Sequence, residues 1–169
     1  MNLQNIIEAR KIVVSPDVAK QLSLVQYPQN SLFKWERHSD DEDISSNWFL
    51  TSNEFPGCMF IVIAAPTAGE IGIILPKSIN LIFSGCGYEM HLYITHSRLI
   101  IGDEGGWLID YKAYSGVTLT GLLSRIEEKE REIVDANEAN CRAKMYILLH
   151  EIEKGNWSEM KYLKNSYFD

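Results

Sequence analysis

The chain reads as an α+β protein: an antiparallel sheet or partly open small barrel, packed by a short N-terminal helix and a long C-terminal helix. Three observations predict this. Between Tyr88 and Tyr114 apolar and polar residues alternate with period two, and turn residues break the run where a hairpin needs them. About seven short β-prone segments joined by Gly and Pro turns point to antiparallel pairing rather than strand–helix–strand units. After Leu119 the period becomes helical. The whole, residues 1–169, is expected to be one domain, with a β-rich core over 48–113 and a helical region over 118–165.

Leu3 to Arg10 places Leu3, Ile6 and Ile7 on one helical face, and the β-branched Ile12-Val13-Val14 predicts a strand. Ser15 as N-cap with Pro16 in the first turn opens a helix that carries Val18, Leu22 and Val25 and stops before Pro28. From Tyr27 to Asn47 the chain is polar and reads as a solvated loop, with an acidic run at Asp40, Asp41, Glu42 and Asp43. Trp48 to Thr51 predicts a strand, closed by the turn residues Asn53 to Gly57. Met59 to Ala64 lacks alternation and predicts a central strand covered on both faces.

Pro66 to Gly69 reads as a turn, followed by short strands at Ile71 to Leu75 and Asn80 to Ser84. Ser84-Gly85-Cys86-Gly87 then turns the chain into the alternating segment, where Tyr88, Met90, Leu92 and Ile94 oppose Glu89, His91, Tyr93 and Thr95. Thr95 to Arg98 reads as a reversal, Leu99 to Ile101 as a strand, Gly102 to Gly106 as a hairpin turn and Trp107 to Ile109 as its returning strand. In the helical region Leu119, Leu122, Leu123, Ile126 and Ile133 share a stripe, and Met145, Leu148, Leu149 and Ile152 continue one. Between them Asp135 to Asn140 is the weakest helix former, so the expectation is one long helix or a break near Asn137. Gly155 suits a helix C-terminus, with a last helical turn at Trp157, Met160 and Leu163.

Composition narrows the function. A net charge of −7, with the 16 Lys and Arg scattered, disfavours nucleic acid as a direct partner and favours a basic protein. Three widely spaced cysteines, Cys58, Cys86 and Cys141, argue against a disulfide framework, and the N-terminus lacks the pattern of a signal peptide. No apolar run approaches the ~20 residues that cross a bilayer. A cytoplasmic protein without membrane attachment is the expectation.

Candidate chemistry is sparse. His91 and His96 are five residues apart on an extended segment, an odd spacing that puts them on opposite faces, which is wrong for shared metal ligation. His38 beside the Asp40 to Asp43 run lacks the alternating ligands and central Gly of a calcium loop. No metal and no cofactor are therefore expected. Cys86 between Gly85 and Gly87 has the flanks of a nucleophile elbow but is followed by a strand instead of a helix. Gly102 to Gly106 is glycine-rich yet acidic, which suits a hairpin and repels phosphate. His150 reads as a helix-face residue near a C-terminal dipole.

The segment Leu92 to Ile101, with Thr95 and Arg98-Leu99-Ile100 inside it, followed by Trp107-Leu-Ile-Asp110-Tyr, resembles the strand pair of bacterial pleckstrin-homology-like and GRAM-type domains. The resemblance implies a small antiparallel barrel capped by a C-terminal helix, and lipid or peptide binding at the barrel mouth. From charge and size alone the leading expectation is instead a non-catalytic protein-binding module. It would be a small acidic inhibitor, by analogy the immunity partner of a basic nuclease toxin, binding through Asp40, Asp41, Glu42, Asp43, Asp103 and Glu104. A small hydrolase using Cys86 and His91 is the further alternative.

Overall fold

The computed structural model describes residues 3–38, 48–52, 60–98, 101, 105–128 and 130–163. It is α+β, with one three-stranded and one five-stranded antiparallel sheet. Helix α1 (Leu3–Ile12) seats Ala9 in the core and places Arg10 and Lys11 in its last turn, where cations complement the helix dipole. The expected strand at Ile12 to Val14 is not formed. Ile12 ends α1, and Val13 makes a single antiparallel bridge to Thr67 while both valines are sealed from water. Their apolarity reflects burial rather than strand pairing. Helix α2 (Pro16–Leu24) starts as expected, with Pro16 in its first turn. The Ser15 side chain makes no capping bond; its backbone N–H donates instead to Asn140 Oδ1 at 2.7 Å.

Strands β1 (Lys34–His38), β2 (Phe49–Thr51) and β3 (Phe60–Ala64) form the smaller sheet in the order β2-β1-β3. Two expectations fail here. The supposed loop over 27–47 contains the central strand β1, and Met59 to Ala64 yields an edge strand, with Ile61 39 % exposed. The sequence Lys-Trp-Glu-Arg-His shows one apolar residue, but that residue anchors the sheet. Trp35 is 4 % exposed and its indole N–H donates to the Val14 carbonyl at 2.8 Å.

Helix α3 (Ala68–Ile74) replaces the expected turn and strand over this segment. Thr67 and Glu70 form a reciprocal cap. The Thr67 Oγ1 accepts from the Glu70 N–H at 3.2 Å, and Glu70 Oε2 accepts from the Thr67 N–H at 2.7 Å. Gly72 lets α3 lie close to the last long helix: a Cβ there would fall 2.9 Å from Arg142 Nη1.

The larger sheet begins with β4 (Ser78–Phe83) and β5 (Cys86–Ser97), joined by the two-residue turn Ser84-Gly85, both at positive φ (47° and 82°) as a tight hairpin of this hand requires. Strand β5 runs straight through the expected reversal and pairs along its length with β6 (Gly106–Ala113), from Ser97–Gly106 to Met90–Ala113. Trp107 to Ile109 therefore face His96 to Ile94, not Leu99 to Ile101; Leu99 and Ile100 lie outside the described residues.

The C-terminal helical region is divided near Asn137, the second of the two expected outcomes. Helix α4 (Leu119–Glu127) ends at Glu128 in the left-handed region (φ 52°), β7 (Val134–Asp135) pairs with β6, and Asn137 caps the 16-residue α5 (Glu138–Glu153) by accepting from the N–H groups of Ala139 and Asn140. Gly155 takes the expected positive φ (80°). The segment beyond it is not helical: β8 (Met160–Leu163) pairs antiparallel with β4, giving the order β7-β6-β5-β4-β8 in a curled half-barrel. Strand content thus extends outside 48–113 at both ends. Helix α5 lays Met145, Leu148, Leu149 and Ile152 into the core with Ile79, Leu81, Met90, Ile109 and Tyr111 of the sheet. Among the described residues no helix is long and apolar enough to cross a membrane.

Candidate functional site

The acidic residues singled out from sequence, Asp40, Asp41, Glu42, Asp43, Asp103 and Glu104, lie outside the described residues, as does Cys58. The proposed Cys86–His91 pair is not assembled. The two are five residues apart on a regular strand, so they face opposite sides of the sheet roughly 17 Å apart along it. His91 instead stacks on Tyr114 (5.2 Å between ring centres), and His96 packs on Trp107 (5.0 Å) across the opposite face. Cys141 is buried with its thiol 3.3 Å and 3.4 Å from the Ile133 and Trp107 carbonyls; burial pushes the thiol up to about 12, which keeps it protonated and inert. Among the described residues no three His, Cys, Asp or Glu side chains gather as metal ligands.

Two buried carboxyl groups remain, and they differ in kind. Asp110, 6 % exposed on β6, is fully engaged. It accepts from the Tyr111 N–H at 2.8 Å, the Thr120 N–H at 3.2 Å and the Thr120 hydroxyl at 2.5 Å. It thereby fastens the first turn of α4 to β6. Burial raises its pKa, and these hydrogen bonds pull in the other direction.

Glu36 lies at the centre of the small sheet on the face opposite Trp35. Direct cross-strand pairing puts Phe49 on one side of it and Val62 on the other. Phe60 follows on the diagonal, meeting the Phe49 ring edge-on at 5.7 Å and the His38 ring at 4.4 Å. Glu36 is 7 % exposed, yet its Oε1 is sealed from solvent with no hydrogen-bond partner. Desolvation raises its pKa, with Lys34 on the same face opposing the shift. Phe49 is 41 % exposed, so water is kept off by side chains at the surface rather than by depth.

A second unanswered group lies on α5. Tyr146, Leu149, His150 and Glu153 recur at i, i+3, i+4 and i+7, one stripe of the helix. They form one wall of a cleft of about 220 Å³ completed by Pro28, Ile74, Pro76 and Tyr162. Its shape is fixed by two contacts: the Tyr111 hydroxyl donates to the Pro76 carbonyl at 2.6 Å, and the Tyr27 ring meets Tyr146 edge-on at 5.6 Å. His150 lines the cleft, but its Nε2 has no hydrogen-bond partner and is sealed from solvent, so it does not open into the cleft.

Sequence patterns missed both places. Glu36 lies in the polar run Lys34-Trp35-Glu36-Arg37-His38 and looks solvated; only its alternation with Trp35 marks it as opposite a buried anchor. The α5 stripe is visible in sequence, but its facing wall comes partly from Pro28, Ile74 and Pro76, far back in the chain, and partly from Tyr162 of β8. Comparison with protein-family models, curated proteins and solved structures finds no match for this chain.

Proposed function

We propose that the protein is a non-catalytic binding module for a basic protein, of the inhibitor or immunity type, and that the outer face of the β2-β1-β3 sheet is its contact surface. The single observation that carries this is Glu36. A buried carboxylate whose oxygen has no partner costs stability. A cationic side chain from a partner, docked over Phe49 and Phe60, would offset that cost by setting its charge beside the carboxylate. The exposed Phe49 and half-buried Phe60 beside a central charged group are also what interface hot spots are made of. The acidic run Asp40 to Asp43 follows β1 directly in sequence and adds long-range attraction for the same kind of partner. A cytoplasmic setting is part of this proposal.

The test is to capture the partner from the native host, purify it and titrate it calorimetrically. The partner is expected to be basic, binding should weaken steeply with salt, and Phe49→Ala and Glu36→Gln should each weaken it about tenfold or more. Binding indifferent to salt and to both substitutions would refute the assignment, and selective binding to anionic vesicles would replace it with the lipid-binding alternative.

A further inference from the structure

We propose that the free edge of β3 is an interface with a second copy of this chain, whose own β3 adds antiparallel to make one six-stranded sheet. Among the described sheet edges, β2 and β7 are three and two residues long and β8 carries Lys161, while β3, Phe-Ile-Val-Ile-Ala, has neither charge nor proline. Proteins blunt their edges with short strands, lysine or proline because a bare edge recruits another strand. Strand β3 has none of these guards. Two hydrogen bonds fix which of its backbone groups face outward. The Ala65 N–H donates to the Phe33 carbonyl at 2.9 Å, so by alternation Ala65, Ile63 and Ile61 are the positions bonded toward β1. Phe60, Val62 and Ala64 therefore turn N–H and C=O away from it. Ala64 shows this directly: its N–H donates to Gln29 Oε1 at 2.9 Å, on an amide whose nitrogen donates to the Tyr27 carbonyl at 2.8 Å. Among the described residues nothing hydrogen-bonds to the outward groups of Phe60 and Val62.

Helix α2 leaves this edge open. Lys20 lies 5.3 Å from the ring of Trp48, which leads into β2 on the far side of β1, so α2 crosses the Trp35 face of the sheet rather than running along β3. The pattern of outward groups selects the strand's own copy. Gln29 closes the edge at Ala64 and leaves a window from Phe60 to Val62. A two-fold axis through Ile61 sets Phe60 against Val62 of the second copy and Val62 against its Phe60. Every outward N–H and C=O in the window then finds a partner, with none left over. On one face the Phe60 and Val62 side chains meet, and on the other Ile61, 39 % exposed in the single chain, packs on itself. A guest strand extending past Val62 would collide with Gln29. The contact surface proposed for a basic partner is not needed for this pairing, and both copies keep it on the same face of the joined sheet.

The test is sedimentation equilibrium of the full-length protein, with amide hydrogen exchange read at low and high concentration. So short a window gives a weak dimer with a dissociation constant of about 100 µM, a minor species at about 10 µM and the main one at about 1 mM. Exchange of the Phe60 and Val62 amides should slow as concentration rises. Ile61→Glu sets like charges on the axis while facing Arg37 across the sheet, and should weaken dimerisation about tenfold or more. Val62→Pro removes an outward N–H that β1 does not use and should do the same, so either variant carries the test if the other fails to fold. Added salt should preserve or tighten the dimer, because each copy carries −7, whereas it weakens a complex with a basic partner. A monomer at about 1 mM, a dimer unaffected by the folded variants, or exchange at Phe60 and Val62 that ignores concentration would overturn the inference. Slowing of those amides only when a different protein is bound would assign the edge to that protein and overturn it equally. Either failure would leave the Glu36 surface standing, since a basic partner needs one copy only.

Discussion

Asp110 and Glu36 are both carboxyl groups less than a tenth exposed, set in β-strands, and both have their pKa raised by burial. Three donors meet Asp110; Oε1 of Glu36 meets none. The difference separates a charge that builds the fold from one that burdens it. Asp110 joins β6 to α4, and every donor it satisfies would otherwise be buried without a partner. Glu36 Oε1 has no such donor, and under the proposed function its burial would serve a partner that approaches from outside.

The largest expected effect breaks the structural half of this comparison. Asp110→Ala leaves the Tyr111 and Thr120 N–H groups and the Thr120 hydroxyl unanswered, and should cost about 2–4 kcal/mol in urea unfolding. A loss under half a kilocalorie would mean that α4 is held by its leucines alone. Next, Asp135→Asn probes a carboxylate that is also paired but lies nearer the surface. Burial alone would raise its pKa, but Lys144 at 2.7 Å, the Asn137 N–H at 2.9 Å and the Asn140 amide at 3.2 Å outweigh that and hold it below the ordinary aspartate value. A depressed carboxylate pKa stabilises above its unfolded value and loses that contribution as pH falls through the folded one. The variant should therefore be about 1 kcal/mol less stable at neutral pH, with the gap closing in acid. Tyr111→Phe, which removes the bond to the Pro76 carbonyl, should cost about 1 kcal/mol in the same urea unfolding.

Much of the architecture was legible in the sequence because it rests on local signals. Ser15-Pro16 opened α2, Ser84-Gly85 turned the hairpin, and the alternation from Tyr88 to Thr95 assigned the two faces of β5. Most of the failures share a cause, which is that tertiary packing or pairing overrode local pattern; the helix at Ile71 is the exception, since a local cap there outweighs a strand-like composition. Val13-Val14 are buried without a sheet, and Ile71 to Leu75 is an apolar run that the cap Thr67-x-x-Glu70 turns into a helix. Trp157, Met160 and Leu163 have helical spacing, yet β4 offers an open edge that takes Met160 to Leu163 as a strand. The candidate sites were harder still. Glu36 is conspicuous only through the hydrogen bond its Oε1 lacks, and a missing bond leaves no trace in the order of residues.

The central claim is that Glu36 serves something other than folding, and Glu36→Gln tests it without a partner in hand. Because burial raises the folded-state pKa, the folded protein prefers this group neutral, so its contribution is favourable below the unfolded glutamate pKa and is lost as pH rises through the folded value. Glutamine mimics the neutral form. Urea unfolding at neutral pH should find Glu36→Gln more stable than the parent by about 0.5–1 kcal/mol, with the difference vanishing below the ordinary glutamate range. A variant less stable than the parent at neutral pH would show Glu36 to be a structural charge like Asp110, and would contradict the account.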